Sequence, residues 1–184
     1  MANEYKKNLF ISEKTLKEAS VLNDNVDAKL IRPIITLAQD MHILPILGTK
    51  LFEGLQLRID ESSLTADDII LIEEYIEKTL VQATMYEMVD TTLYKFMNKT
   101  LGKTTDERVD SVTLDEATYI KNTYRARMNF YRDRLDAFLC HNTVKYPEYN
   151  DSVYPDVLPS GQPFKTSIYL GPRRDRGRGW YVGK

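Results

Sequence analysis

LIRPIITLAQDMHILPILGTKLFEGL, residues 30–55, is dense in apolar side chains yet interrupted by Pro33, Pro45 and Gly48. A proline inside a regular helix removes a backbone donor and crowds the preceding turn, at about 3 kcal/mol. The residue before a proline is pushed out of the helical region. The stretch therefore reads as a helix, a sharp turn at Pro45 and Gly48, and a second short helix. Pro33 either kinks the first helix or marks its true start near Arg32. Leu30, Ile34, Leu37, Ala38 and Met41 recur at three- and four-residue steps, which predicts one core-facing stripe. After the turn, Thr49 is a candidate cap for a helix carrying Leu51, Phe52 and Leu55. The stretch is a corner, with no catalytic pattern in it.

Working outward toward the N-terminus, Asn25 or Asp24 offers a cap for the first corner helix, and Ser12 caps a short helix through Leu16 to Ala19. Toward the C-terminus, TADD at 65–68 is a capping-box variant opening a helix to about Asn98, free of internal Pro or Gly. Two apolar stripes run along it: Ile69, Ile72, Ile76, Leu80 and Ala83 beside Leu71, Tyr75, Met85, Val89, Leu93 and Phe96. An arc that wide touches neighbours on two sides, so this helix is the expected spine. Residues 99–111 are polar and glycine-bearing, an exposed loop or small hairpin. TLDE at 113–116 is a second capping box, and the helix it opens reaches about His141, with Ala117, Ile120, Tyr124, Met128, Tyr131, Leu135 and Phe138 on one face.

From Tyr146 the composition changes. Five of the seven prolines and five of the eight glycines fall in residues 146–184. No helix is expected there, but the aromatic content is too high for a solvated linker. Fully extended, this arm reaches roughly 130 Å. The expectation is a mainly α fold: a helical bundle of about four to five helices over residues 1–145, followed by an extended Pro/Gly/Tyr-rich arm over 146–184. TSIYL at 166–170 is a short strand able to add to a partner's sheet.

The chain has 184 residues, 42% hydrophobic and 28% charged, with a net charge of -2. That balance gives no global pull toward nucleic acid or membrane. Six Lys/Arg against Asp175 between Lys165 and Lys184 make this end +5 and the remainder -7. The single cysteine, Cys140, excludes an intramolecular disulfide and fits a reducing compartment. MANEYKKNLF lacks a signal-peptide core, and no run approaches the roughly 18 apolar residues of a membrane span.

No catalytic, cofactor or metal site emerges. Cys140, His141 and His42 fall short of a zinc ligand set, and the cysteine has no oriented base. Asp67, Asp68, Glu73, Glu74 and Glu77 read as a solvated helix face, or as an acidic docking surface. Gly48-Thr49-Lys50 and Gly102-Lys103-Thr104 echo a phosphate loop without its upstream glycine or strand. RRDRGRGW at 173–180 is the one strongly biased segment. Its arginines, with Trp180 and Tyr181, suit docking on an acidic protein surface or sequence-tolerant contact with nucleic acid. The candidate partner-binding residues are Tyr154, Phe164, Ile168, Tyr169, Leu170, Arg173, Arg174, Arg176, Arg178, Trp180 and Tyr181.

Residues 9–141 resemble the head–tail connector (adaptor) proteins of tailed bacteriophages, in particular the neck ring protein of crAss-like phages. The resemblance rests on a capped short helix after LFIS, then VDAKLIRPIITLAQDMHILPILGTKLFEGL, then the helices opened by Thr65 and Thr113. Its most specific part is AQD-x-HI-x-P-x-LG-x-x-L-F. The resemblance implies a helical structural protein of the virion, assembled in the host cytoplasm as a ring beneath the portal protein. That ring is usually dodecameric, extends the DNA channel and meets further neck or tail proteins. It also implies no cofactor, no enzyme activity and no membrane, with the 99–111 loop projecting toward a neighbouring ring and the arm clasping adjacent subunits or the portal. The simpler adaptors lack that arm. The alternative is a nucleic-acid-binding helical module working through the Arg-rich tail, and packaged DNA is then a non-specific contact.

Overall fold

The computed structural model describes residues 8–97, 100–103, 113–150 and 156–161. The chain is mainly helical, as its periodicity predicts. Helix α1 (Glu13–Glu18) opens on Ser12, whose hydroxyl accepts from the Thr15 amide. Helix α2 (Ala28–Ala38) is capped by Asp27, whose side chain accepts from the Lys29 amide, in place of Asp24 or Asn25. Pro33 lies inside α2 and neither starts it nor ends it.

The corner is later and tighter than its prolines predict. Helix α2 runs through a π turn (Gln39–Ile43) into α3 (Leu44–Leu47) without a break. The Leu44 amide reaches back to the Gln39 carbonyl, five residues away, and this widened turn admits the Pro45 ring into the helix. Pro45 thus breaks nothing. The chain turns at Gly48 alone, at φ +74 and ψ 156, a conformation open to glycine at little cost. Gly48 is also the N-cap of α4 (Thr49–Asp60), so Thr49 is its first residue and not its cap.

The buried stripe of the corner is rotated from expectation. Ile31, Ile34, Ile35, Ala38, Ile43, Ile46 and Leu47 are buried, whereas Leu30, Leu37 and Met41 are 42, 44 and 54% exposed. The continuous helix Ala28–Leu47 has 20 residues. By length and composition it could cross a bilayer, contrary to the expectation of no such segment, and 44% of its most apolar 18 residues are buried against the rest of the fold.

The spine comprises α5 (Ala66–Leu71), a second π turn (Ile72–Ile76) and α6 (Glu77–Leu93), again without a break. Thr65 and Asp68 form the full capping box: the Thr65 hydroxyl accepts from the Asp68 amide, and Asp68 accepts from the Thr65 amide. Ile72, Ile76, Leu80 and Ala83 are buried, but Ile69 at the start is 40% exposed. Thr79 and Thr84 are fully buried, and each hydroxyl donates to a carbonyl one turn earlier, so neither leaves a polar group unpaired. The spine stops at Leu93, short of Asn98, because Tyr94–Met97 (β1) pairs antiparallel with Thr100–Lys103 (β2). Met97 opposes Thr100, so two residues join the strands, the commonest hairpin length.

Helix α7 (Leu114–His141), 28 residues and about 42 Å long, returns antiparallel along the spine. Its capping box of Thr113 and Glu116 is complete. Ala117, Met128, Leu135 and Leu139 are buried, while Ile120 is 40% exposed. The core joins residues from every helix, and Phe10 meets Phe52 edge to face at 5.3 Å.

The helical body continues past residue 145. Tyr146 and Tyr149 are 2 and 1% exposed members of the core, and Pro147–Asn150 form a 3₁₀ turn where no helix was expected. Polar contacts hold the turn in place. The Tyr146 hydroxyl donates to the Asp67 carbonyl at 2.8 Å, and Glu148 forms a two-pronged ion pair with Arg58 at 2.7 and 3.1 Å. Arg58 also contacts Asp68, so one guanidinium ties α4, the spine's cap and the 3₁₀ turn together.

Candidate interaction surfaces

The corner motif is explained residue by residue. Gln39, fully buried, accepts from the Phe10 amide and donates to the Asn8 carbonyl, both at 3.0 Å, and so holds the N-terminal segment on the helix. His42 Nε2 donates to Glu87 of the spine at 2.8 Å. The Pro45 carbonyl, Gly48 and Thr49 together receive a strap, residues 156–161.

Four hydrogen bonds seat that strap. The Thr49 amide donates to the Val157 carbonyl at 3.0 Å, and the Val157 amide returns to Thr49 Oγ1 at 3.1 Å. Thr49 Oγ1 donates to Asp156 at 3.1 Å, and the Ser160 amide donates to the Pro45 carbonyl at 2.9 Å. Buried Pro159 lies so close that a Cβ on Gly48 would sit 2.7 Å from its ring. Gly48 is therefore needed twice, for its φ and for its missing side chain. At the strap's end Cys140 Sγ donates to the Gly161 carbonyl at 3.3 Å, and Ser160 lies over Asp136 at 3.4 Å. Burial holds the Asp136 carboxyl above its usual range against the pull of Arg132 and the Ser160 hydrogen bond. Burial likewise pushes up the Tyr149 phenol, whose hydroxyl is 3.9 Å from Cys140 Sγ.

A second surface lies along the seam of the spine and α7. Gln82, Ala126, Arg127, Phe130 and Tyr131 line an open groove of about 560 Å³. Phe130 is 65% exposed. The Arg127 guanidinium lies 5.7 Å from the Tyr124 ring and that of Arg134 4.8 Å from Tyr75, which itself stacks on Phe138 at 4.0 Å. Neither arginine makes an ion pair among the described residues. Stacking on a ring leaves the N–H edges of a guanidinium open to a partner. At the groove, Gln82 Oε1 is buried and accepts no hydrogen bond. A third surface, Leu30, Leu37 and Met41, is an exposed apolar row on α2 and the π turn that follows it.

The residues singled out from sequence fall as follows. Cys140 packs on the strap, and His141 Nδ1 donates to the Ala137 carbonyl at 2.8 Å at the helix end. Glu73 and Glu74 are exposed on the outer face. Glu74 is held low by Lys78 first and by Arg134 more distantly, while burial, with Glu73 beside it, raises Glu77. Asp67 pairs with Lys145 at 2.6 Å, and Asp68 is consumed by its cap and Arg58. Gly102 and Lys103 lie in β2. Tyr154, Phe164, Ile168, Tyr169, Leu170, Arg173, Arg174, Arg176, Arg178, Trp180 and Tyr181 lie outside the described residues, as does the TSIYL strand. Sequence reading missed the strap and the groove. DVLPSG at 156–161 carries only a proline and a glycine as signal, and Phe130 reads as one more aromatic in a long helix.

A family model described as a family of unknown function (DUF6712) matches residues 43–157, from the π turn of the corner to the strap. No curated protein matches the chain. No solved structure matches it either.

Proposed function

We propose that this chain, which belongs to the DUF6712 family of unknown function, is a head–tail connector of a tailed bacteriophage. In this reading it is a structural virion protein with no reaction to perform. Its copies form a ring between the portal protein and the tail, around the DNA path, after assembly in the host cytoplasm.

The sequence resemblance of residues 9–141 motivates the reading, and one observation supports it: the body has two poles. The spine and α7 run antiparallel, with Asp90 paired to Lys121 near one end and Asp67 to Lys145 near the other. The β1–β2 hairpin leaves from the first pole, and the strap lies against the last turns of α7, at Asp136 and Cys140, toward the second. A body whose longest helix is about 42 Å, with a hairpin at one end and the strap seated toward the other, suits a part that joins two others.

Native mass measurement of the purified chain, alone and mixed with portal particles, tests this. Rings, free or seated on the portal, are the expected result. A chain that stays monomeric and never joins portal particles ends the reading.

A further inference from the structure

We propose that the α7 groove is filled by helix α4 of a second copy of this chain. The two surfaces are matched in charge and spacing. On α7, Arg127, Phe130 and Arg134 stand at positions i, i+3 and i+7, an exposed aromatic between two exposed guanidiniums. On α4, Glu53, Leu57 and Asp60 stand at i, i+4 and i+7, an exposed apolar side chain between two exposed carboxylates. Neighbours three and four apart share one helix face, so each trio is a short row about 10 Å long. None of these four charged residues makes an ion pair among the described residues.

Leu57, 58% exposed, is the knob, and the groove of about 560 Å³ beside Phe130 is the space for it, with Ala126 leaving room. Facing a row with its own kind would bring like charges together, so the contact joins different surfaces of two copies. Such a head-to-tail contact repeats until it closes into a ring or extends as a filament. The pairing rests on observed surfaces, and its closure into a ring rests on the connector reading.

Charge reversal tests it. R127E/R134E and E53K/D60K each leave one repulsive interface, and all four side chains are exposed, so both variants retain the helical circular-dichroism spectrum. Sedimentation velocity of the full chain should show self-association in the wild type and a weakening of about tenfold or more in each variant. An equimolar mixture restores both pairings, glutamate against lysine and arginine against the native acids, and regains assembly. A monomeric wild type, a variant that assembles as the wild type does, or a mixture that stays monomeric overturns the proposal. A wild-type ring that both variants also form rejects this interface and leaves the connector reading standing. A monomeric wild type that binds a single-stranded oligonucleotide, with binding lost in R127E/R134E, assigns the groove to nucleic acid instead.

Discussion

Gly48 carries two constraints that a pair of substitutions separates. Gly48→Val places a branched side chain at φ +74 and drives its Cβ into Pro159, 2.7 Å away. The expected cost is about 2–4 kcal/mol, from the left-handed conformation and the steric overlap together. Urea unfolding of Gly48→Ala with and without Pro159→Gly divides the two: with the ring removed, the overlap at 2.7 Å is gone and a backbone cost of about 1–3 kcal/mol should remain. Gln39 is the other residue with outsized effect. Gln39→Leu keeps the volume but strips the Phe10 amide of its partner and leaves the Asn8 carbonyl to Gln56 alone. One buried backbone donor left unpaired costs about 1–3 kcal/mol, and limited proteolysis should cut ahead of Phe10 first.

At the scale of elements, the π turns account for the departures from simple helix rules. Each inserts a five-residue reach into a helix that otherwise closes every fourth, and the first one lies directly before Pro45. The 3₁₀ turn at Pro147–Asn150 is bound by burial, and this makes it sensitive to alkali. Burial first, then the carboxylates of Asp67 and Asp68, push the Tyr146 phenol up to about 12 from an ordinary 10. A folded value above the unfolded one means that the stabilisation is whole below pH 10 and is lost as pH rises from 10 through about 12. Melting temperature should therefore fall less steeply over that interval in Tyr146→Phe than in the wild type. At neutral pH the variant should be about 1 kcal/mol less stable, for the lost hydrogen bond to Asp67.

For the whole molecule, truncations on either side of the strap measure what the strap adds to the fold. A chain ending after Gly161 retains every contact to Thr49, Pro45 and Gly48, and its melting temperature should equal that of the full chain. A chain ending after Asn150 loses the four strap hydrogen bonds and the Pro159 contact. It should unfold at lower denaturant, by about 2–3 kcal/mol. If the two truncations melt alike, the strap contributes nothing to the body. Under the connector reading, the basic residues 173–184 serve assembly, and truncation after Gly161 should then abolish assembly without loss of fold.

Local chemistry made much of this fold legible. Ser12, Thr65 and Thr113 announce helices because a hydroxyl three residues before an acid or amide satisfies donors that the chain itself exposes. The α7 stripe and the mainly helical class follow from periodicity in the same way. Where partners decide, the sequence is ambiguous. On α2 and its π turn the rows Leu30–Leu37–Met41 and Ile31–Ile34–Ile35–Ala38 are equally apolar, and only the spine packed on one side chose the second. Tyr146 and Tyr149 belong to a compositionally arm-like segment, yet Asp67, Arg58 and the core draw them in. Gly48 was recognisable as a turn from its type. That the turn is shaped to hold Pro159, 111 positions further along the chain, is a long-range contact, and such contacts exist only once the chain has folded.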